Sequence, residues 1–99
     1  MNLQTLMKQA QSMQKNLLES KNKIEKMEFE GNSELVTVKM SGKKEILSVK
    51  IKEDVSLEKD ELEILEDMIA IAVNDALKKI EKEINDKMGS QAGAFGNLM

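Results

Sequence analysis

The chain has 99 residues, with 15 basic and 18 acidic side chains, a net charge of −3 and no Cys, His, Tyr or Trp. Without these side chains the common general bases, thiolate nucleophiles, metal-binding clusters and disulfides cannot be assembled, which argues against an enzyme, a cofactor and a metal site. The sequence also shows no secretory leader pattern and no apolar run near the roughly 20 residues that cross a bilayer. We expect a cytoplasmic protein, with neither a membrane nor a small-molecule substrate as a partner.

The small size of the chain predicts self-association. A domain of this length buries only about two-thirds of the surface that its unfolded chain exposes. Two aromatic residues, Phe29 and Phe95, are few for a core, so packing must rely on eight Met and on Leu, Ile and Val. We therefore expect a homodimer in which the second copy supplies further burial.

The first predicted element is a long helix with a narrow apolar stripe. In a heptad numbering, the a and d positions are Leu3, Leu6, Ala10, Met13, Leu17, Ser20, Ile24 and Met27. Seven of these eight residues are apolar, and polar side chains separate them, which is typical of a coiled-coil contact. Asn2 is a favoured N-cap type for such a helix. At about 37 Å, the helix is too long for a small sheet to cover and needs a partner helix.

Residues 27–52 predict a three-stranded antiparallel sheet. Apolar and polar residues alternate in three stretches, the last two being Leu35 to Met40 and Glu45 to Ile51, and this is the period of half-buried strands. The apolar faces of these two strands are Val36, Val38 and Met40, then Leu47, Val49 and Ile51. We expect turns at Gly31 to Ser33 and at Ser41-Gly42, since Gly adopts positive φ without steric cost.

A second helical region follows the sheet. Residues 60–76 would be apolar on most sides of a helix, so this helix is expected to be buried. The pattern accommodates a bend near Lys59 and Asp60. From Leu77 to Met88 the apolar stripe becomes narrow again, as in the first helix.

These elements predict one α-β-β-β-α domain over residues 1–88. The two narrow-striped half-helices, residues 3–24 and 77–88, should pair antiparallel and form an arm that extends beyond the sheet. Residues 89–99 are rich in Gly and Ala and lack periodicity, so we expect a flexible tail there.

Several segments resemble the YbaB/EbfC family of bacterial nucleoid-associated proteins. They are Leu6-Met7-Lys8-Gln9-Ala10-Gln11-Ser12-Met13-Gln14, the Gly31 turn, Leu35-Val36-Thr37-Val38 with the following Gly42, and Glu66-Asp67-Met68 followed by Asn74-Asp75-Ala76. The resemblance covers nearly the whole chain. It implies an α+β, tweezer-like homodimer with protruding helical arms, which binds duplex DNA with low or limited sequence specificity in the nucleoid, for nucleoid organisation or gene regulation. The basic residues here are all Lys, which suits phosphate contact better than reading of base edges.

The candidate DNA-contacting residues lie on the predicted arms. They are Lys8, Gln11, Lys15, Lys78, Lys79 and Lys82. Lys8 and Lys15 share heptad position f, opposite the apolar stripe, so they should project along one line. Residues 1–27 carry five Lys against two Glu, whereas acidic residues concentrate between Ser56 and Asp75. A solvated helix surface would show the same lysine pattern without any DNA contact.

A protein-interaction module is the alternative function, in which the arms engage partner helices through their apolar stripes. The acidic set between Glu58 and Asp67 lacks the Gly and the alternating acids of a calcium loop. We expect these carboxylates to complement the dipole of the second helix instead.

Overall fold

A computed structural model describes residues 2–54 and 58–88 of the protein. The elements in chain order are α1 (Leu3–Lys26), β1 (Glu28–Asn32), β2 (Val36–Ser41), β3 (Ile46–Ile51) and α2 (Lys59–Met88). This order confirms the predicted fold class of a long N-terminal helix, a three-stranded antiparallel meander and a C-terminal helical region. The flexible tail predicted for residues 89–99 lies outside the described residues.

The two helices are long and continuous. Asn2 caps α1 as expected, because its side-chain oxygen accepts a hydrogen bond from the backbone N–H of Thr5 at 2.9 Å. At the other end, Met27 is the C-cap, and the chain passes directly into β1. In α2, the arm and the predicted buried helix form one helix of 30 residues.

The sheet has strand order β1-β2-β3, and both pairs of neighbours are antiparallel. Phe29 pairs with Met40 across β1 and β2, and Val38 pairs with Val49 across β2 and β3. Because directly opposed residues lie on the same face, these apolar pairs define the inner face of the sheet. A register shift follows Lys39, so that Met40 pairs with Ile46 and β3 gains one residue there.

The turn between β2 and β3 differs from the expectation about Gly42. The residue with positive φ in this turn is Lys44, at 69°. Gly42 instead lies against the end of α1, where a Cβ would collide with the carbonyl oxygen of Ile24 and lie 2.9 Å from the Cα of Glu25. Gly42 is therefore required because a side chain at this position would collide with α1, and not because of its backbone conformation.

Helix α2 covers the inner face of the sheet over β1 and β2. Two groups of buried residues form the core. The group nearer the start of α2 is Val36, Val38, Leu65 and Ala72, and the group nearer the arm is Ile24, Phe29, Met40, Ala76, Ile80, Ile84 and Met88. The helix passes very close to β1, since a Cβ on Gly31 would collide with the carbonyl oxygen of Ala72 and lie 2.8 Å from the Cβ of Ala76.

Part of the apolar surface of the single chain is exposed to solvent. Every residue of β3 is exposed, including Val49 at 45 % on the inner face. On α2, Leu62, Ile64 and Ile71 are also exposed, Ile71 at 50 %. Within the single chain the sheet covers only one side of this helix, so its burial on most sides remains a prediction for the dimer.

Candidate nucleic-acid interface

The first half of α1 stands clear of the rest of the described structure. The packed part of α1 is its second half, where Leu17 and Ile24 belong to the same core as Ile80, Ile84 and Met88. Residues 2–16 are all exposed, and Leu3 has 72 % of its surface accessible. Met88, the last described residue of α2, lies beside Met13 and Leu17 on the wall of one surface pocket. From Met13 back to Leu3, α1 extends about 15 Å further.

Three candidate residues lie on this exposed half of α1, on the side away from α2. Lys15 precedes Ile24 by nine positions, which is about 180° around a helix, and Lys8 is about 160° from Ile24 by the same count. Gln11 lies between them, about 140° from Ile24. All three are exposed. The two ammonium groups therefore project from one side of α1, about 10 Å apart along the axis.

The candidate residues on α2 divide into two kinds. Lys78 and Lys82 are exposed and lie two positions before and after the buried Ile80, about 160° from it on either side. They therefore point away from α1. Lys79 has a structural contact, because its Nζ donates to the carbonyl oxygen of Glu30 in β1 at 2.6 Å and lies 3.4 Å from Oδ2 of Asp75.

Asp75 fastens α2 to the free edge of the sheet. Its Oδ2 accepts a hydrogen bond from the backbone N–H of Asn32 at 2.9 Å. This bond holds the pKa of the Asp75 carboxyl below its ordinary value of 3.8. Desolvation opposes it, and the nearby Lys79 ammonium lowers the pKa further. With Lys79 bound to Glu30, two side chains of α2 satisfy backbone groups at the edge of β1, where an unpaired strand would otherwise invite pairing with another chain.

The structure does not bring all candidate residues into one groove. Lys8 and Lys15 face outward from α1, whereas Lys78 and Lys82 face outward from α2, so a single protomer presents them on different sides of the helix pair. The heptad pattern identified the outward side of α1 correctly. The candidate residues predicted from the sequence do not include the exposed lysines on the outer face of the sheet. Strand alternation nevertheless places Lys39 and Lys50 opposite the apolar face.

The described residues form neither a metal-binding cluster nor a membrane-spanning helix. Across residues 2–54 and 58–88, no three side chains of His, Cys, Asp or Glu lie together in a way that would hold a metal ion. Neither α1 nor α2 is long and apolar enough to cross a membrane.

The described chain is a small α-β-β-β-α protein whose first helix carries outward lysines beyond its packed body. Residues 1–95 match the family model of the YbaB/EbfC DNA-binding family, and the chain belongs to this family. The match confirms the resemblance seen in the motifs.

Three relatives show how far the similarity extends. A nucleoid-associated protein of Hahella chejuensis (strain KCTC 2396) is 39 % identical over 95 residues, which cover 96 % of this chain and 88 % of the relative. One of Legionella pneumophila (strain Corby) is 43 % identical over 97 residues, covering 98 % and 86 %. One of Ligilactobacillus salivarius (strain UCC118) is 36 % identical over 90 residues, covering 90 % and 86 %. The similarity therefore spans both helices and the sheet.

Proposed function

We propose that the chain forms a homodimer that binds duplex DNA with low or limited sequence specificity through lysines on its helical arms. The observation that carries the proposal is the exposed half of α1, where Lys8 and Lys15 project from one side with no ion pair among the described residues. Membership of a DNA-binding family supports the same partner. Since the three relatives are called nucleoid-associated proteins, we place the protein in the nucleoid, where it organises DNA or regulates genes.

The mechanism is electrostatic. An ammonium group that neutralises a phosphate releases condensed counterions, so each contact adds about −0.9 to the slope of log affinity against log salt. Lysine acts as a point charge and does not present the planar fork that reads guanine. Gln11 adds an amide that donates to phosphate oxygen. Binding by such groups depends on the backbone of the duplex and only weakly on its sequence.

The homodimer is supported by the uncovered apolar surface. Val49 and Ile51 of β3, opposite Val38 and Val36, lie on the inner face but beyond the area that α2 covers. On α2, Ile64 and Ile71 lie seven positions apart on one side of the helix and are each 50 % exposed, so they offer further apolar surface that a second copy would bury. Each exposed half of such a side chain is worth roughly 1 kcal/mol on burial, given about 1.5–3 kcal/mol for a whole one. In the dimer, two arms bring a second set of outward lysines to the same DNA.

No catalysis is part of the proposal. The chain lacks His, Cys, Tyr and Trp, and the proposed contacts require only charge and hydrogen bonding to phosphate. The protein therefore acts by binding, without a cofactor or a small-molecule substrate.

The test is duplex affinity as a function of salt, measured by fluorescence anisotropy with a labelled mixed-sequence duplex. In the Lys8→Gln/Lys15→Gln protein, we expect the slope of log affinity against log salt to become shallower by about 1.8 for each arm that contacts DNA. This value corresponds to two lost phosphate contacts of about 0.9 each. The control is Lys26→Gln/Lys59→Gln, which removes the same charge at two exposed lysines outside the arm segments 3–24 and 77–88 and should keep the wild-type slope. An arm variant that binds like the wild-type protein, with unchanged circular dichroism, would remove α1 from the mechanism.

A protein-interaction module is the second candidate function, and one observation favours it. Leu3, Leu6 and Met13 lie on the apolar stripe of α1, yet each is about half exposed or more. A partner helix would cover this stripe. Recovery of a protein partner that remains bound in high salt, by a protein that shows no duplex affinity, would select this function over DNA binding.

A further inference from the structure

The outer face of the sheet carries a regular block of lysines and hydroxyl side chains. Thr37 of β2 pairs with Lys50 of β3, and Lys39 of β2 pairs with Ser48 of β3. Each pair shares a face, and the alternating residues Val36 and Val38 are buried on the opposite, α2-facing side. The four side chains therefore alternate lysine and hydroxyl across two strands.

One more lysine extends this block. Lys52 follows β3, where its backbone N–H donates to the carbonyl oxygen of Leu35 at 3.0 Å and continues the pairing of the two strands. Because Lys52 follows Lys50 by two positions, it lies on the same face. We call Lys39, Lys50 and Lys52, with Thr37 and Ser48, the sheet patch.

Among the described residues, no carboxylate lies within ion-pair distance of the lysines of the sheet patch. The ion pairs among residues 2–54 and 58–88 are Lys21–Glu25, Lys79–Asp75 and Lys87–Glu83, and none involves the patch. Glu30 of β1 lies opposite Lys39 in the register, but the two charged groups are more than 4 Å apart. The ammonium groups of the patch are therefore available to an external anion.

Protection of a strand edge explains only part of this arrangement. Lysines on an edge strand discourage pairing with other chains, which accounts for Lys50 on β3. Lys39 lies on β2, the central strand, where both edges are already paired. The exposed charge of Lys39 on the outer face therefore does not protect a strand edge.

The chemistry of the patch matches the backbone of a duplex. Ammonium groups and the hydroxyl of Ser48 can donate to phosphate oxygens, whereas the hydroxyl of Thr37 already donates to Oδ1 of Asn32 at 3.0 Å. Proteins that hold single strands also stack bases on aromatic rings. Phe29, the aromatic residue in the described part of the chain, is buried beneath the sheet on the α2 side. The outer face thus offers charge and hydrogen bonds but no described stacking platform.

We propose that the sheet patch is a second contact surface for the phosphate backbone of duplex DNA, separate from the arms. The inference rests on the proposed function and adds a binding surface to it. From Lys8 to the end of α1 at Lys26 the helix rises about 27 Å, so the arm and the sheet patch contact different phosphates. One protein thereby holds two stretches of duplex, which suits the compaction of DNA.

The experiment compares salt slopes for the full chain with the same labelled duplex. The Lys39→Gln/Lys50→Gln protein should lose about 1.8 from the slope for each patch that binds DNA. Between about 50 and 200 mM salt, its affinity should then fall roughly 12-fold less than that of the wild-type protein. The Lys39→Arg/Lys50→Arg protein keeps both charges and should keep the wild-type slope.

The controls separate this inference from the proposed function. The Lys26→Gln/Lys59→Gln protein should behave like the wild-type protein, and circular dichroism should show that all variants are folded. If the arm variant loses slope while the sheet variant keeps it, the sheet patch is not a DNA surface although the proposed function stands. If the wild-type protein shows no duplex affinity, both fail. If the sheet variant keeps its duplex slope but loses binding to vesicles of anionic lipid, the patch serves a membrane surface and our inference is wrong.

Discussion

Replacing Gly31 by Ala tests the close contact between β1 and α2. The added Cβ would collide with the carbonyl oxygen of Ala72 and lie 2.8 Å from the Cβ of Ala76. Both atoms belong to a continuous helix, so relief requires that α2 as a whole moves away from the strand. Overpacking costs about 1–3 kcal/mol, whereas the loss of freedom in the unfolded chain favours Ala by about 0.4–1 kcal/mol. Because the main collision involves the helix backbone, we expect a net loss of about 2 kcal/mol.

Thermal unfolding followed by circular dichroism measures this loss. For a chain of this size, 1 kcal/mol corresponds to about 4–8 °C, so the midpoint should fall by roughly 10 °C. Ser48→Ala is the matched control, because Ser48 is an exposed strand residue on the other face of the sheet and its replacement should change stability by less than about 0.5 kcal/mol. A Gly31→Ala protein that unfolds at or above the wild-type temperature would refute the close approach of α2 to β1.

Three further predictions concern the dimer, the pH dependence and the arm. Val49→Lys places a charge on the proposed interface twice per symmetric dimer and should weaken dimerisation roughly 100-fold, which analytical ultracentrifugation measures; an unchanged dimer would exclude β3 from the interface. The Asp75 carboxyl, whose pKa is lowered by the N–H of Asn32, stabilises the fold above its unfolded pKa near 3.8. That stabilisation should disappear as pH falls through the lower folded pKa, so urea midpoints below about pH 4 should fall more steeply for the wild-type protein than for Asp75→Asn. Ile84→Ala removes a buried side chain and should cost about 3 kcal/mol in urea unfolding, whereas Leu6→Ala on the exposed half of α1 should cost under about 1 kcal/mol; equal losses would contradict the unequal packing of the arm.

The linear pattern of the sequence determined the elements and their faces. A period of 3.5 residues placed Ile24 on the packed side of α1 and Lys15 on the exposed side, and a period of two placed Val38 inside the sheet and Lys39 outside. These assignments succeed because backbone geometry alone fixes the direction of each side chain relative to its neighbours in the same element. The same rule made the outward direction of Lys8 and Lys15 on α1 predictable.

Only the tertiary structure decided where the elements meet. It showed that α2 passes over Gly31 at close range, that Lys79 binds the carbonyl of Glu30, and that β3 extends beyond the cover of α2 so that Val49 remains exposed. Each of these facts depends on how one element is positioned against another. Contacts between residues far apart in the chain determine that arrangement jointly. Local periodicity gives the direction in which a side chain points, but it does not identify the group that the side chain contacts. Lys78 and Lys79 are adjacent in sequence, yet Lys79 binds the carbonyl oxygen of Glu30 whereas Lys78 points away from α1.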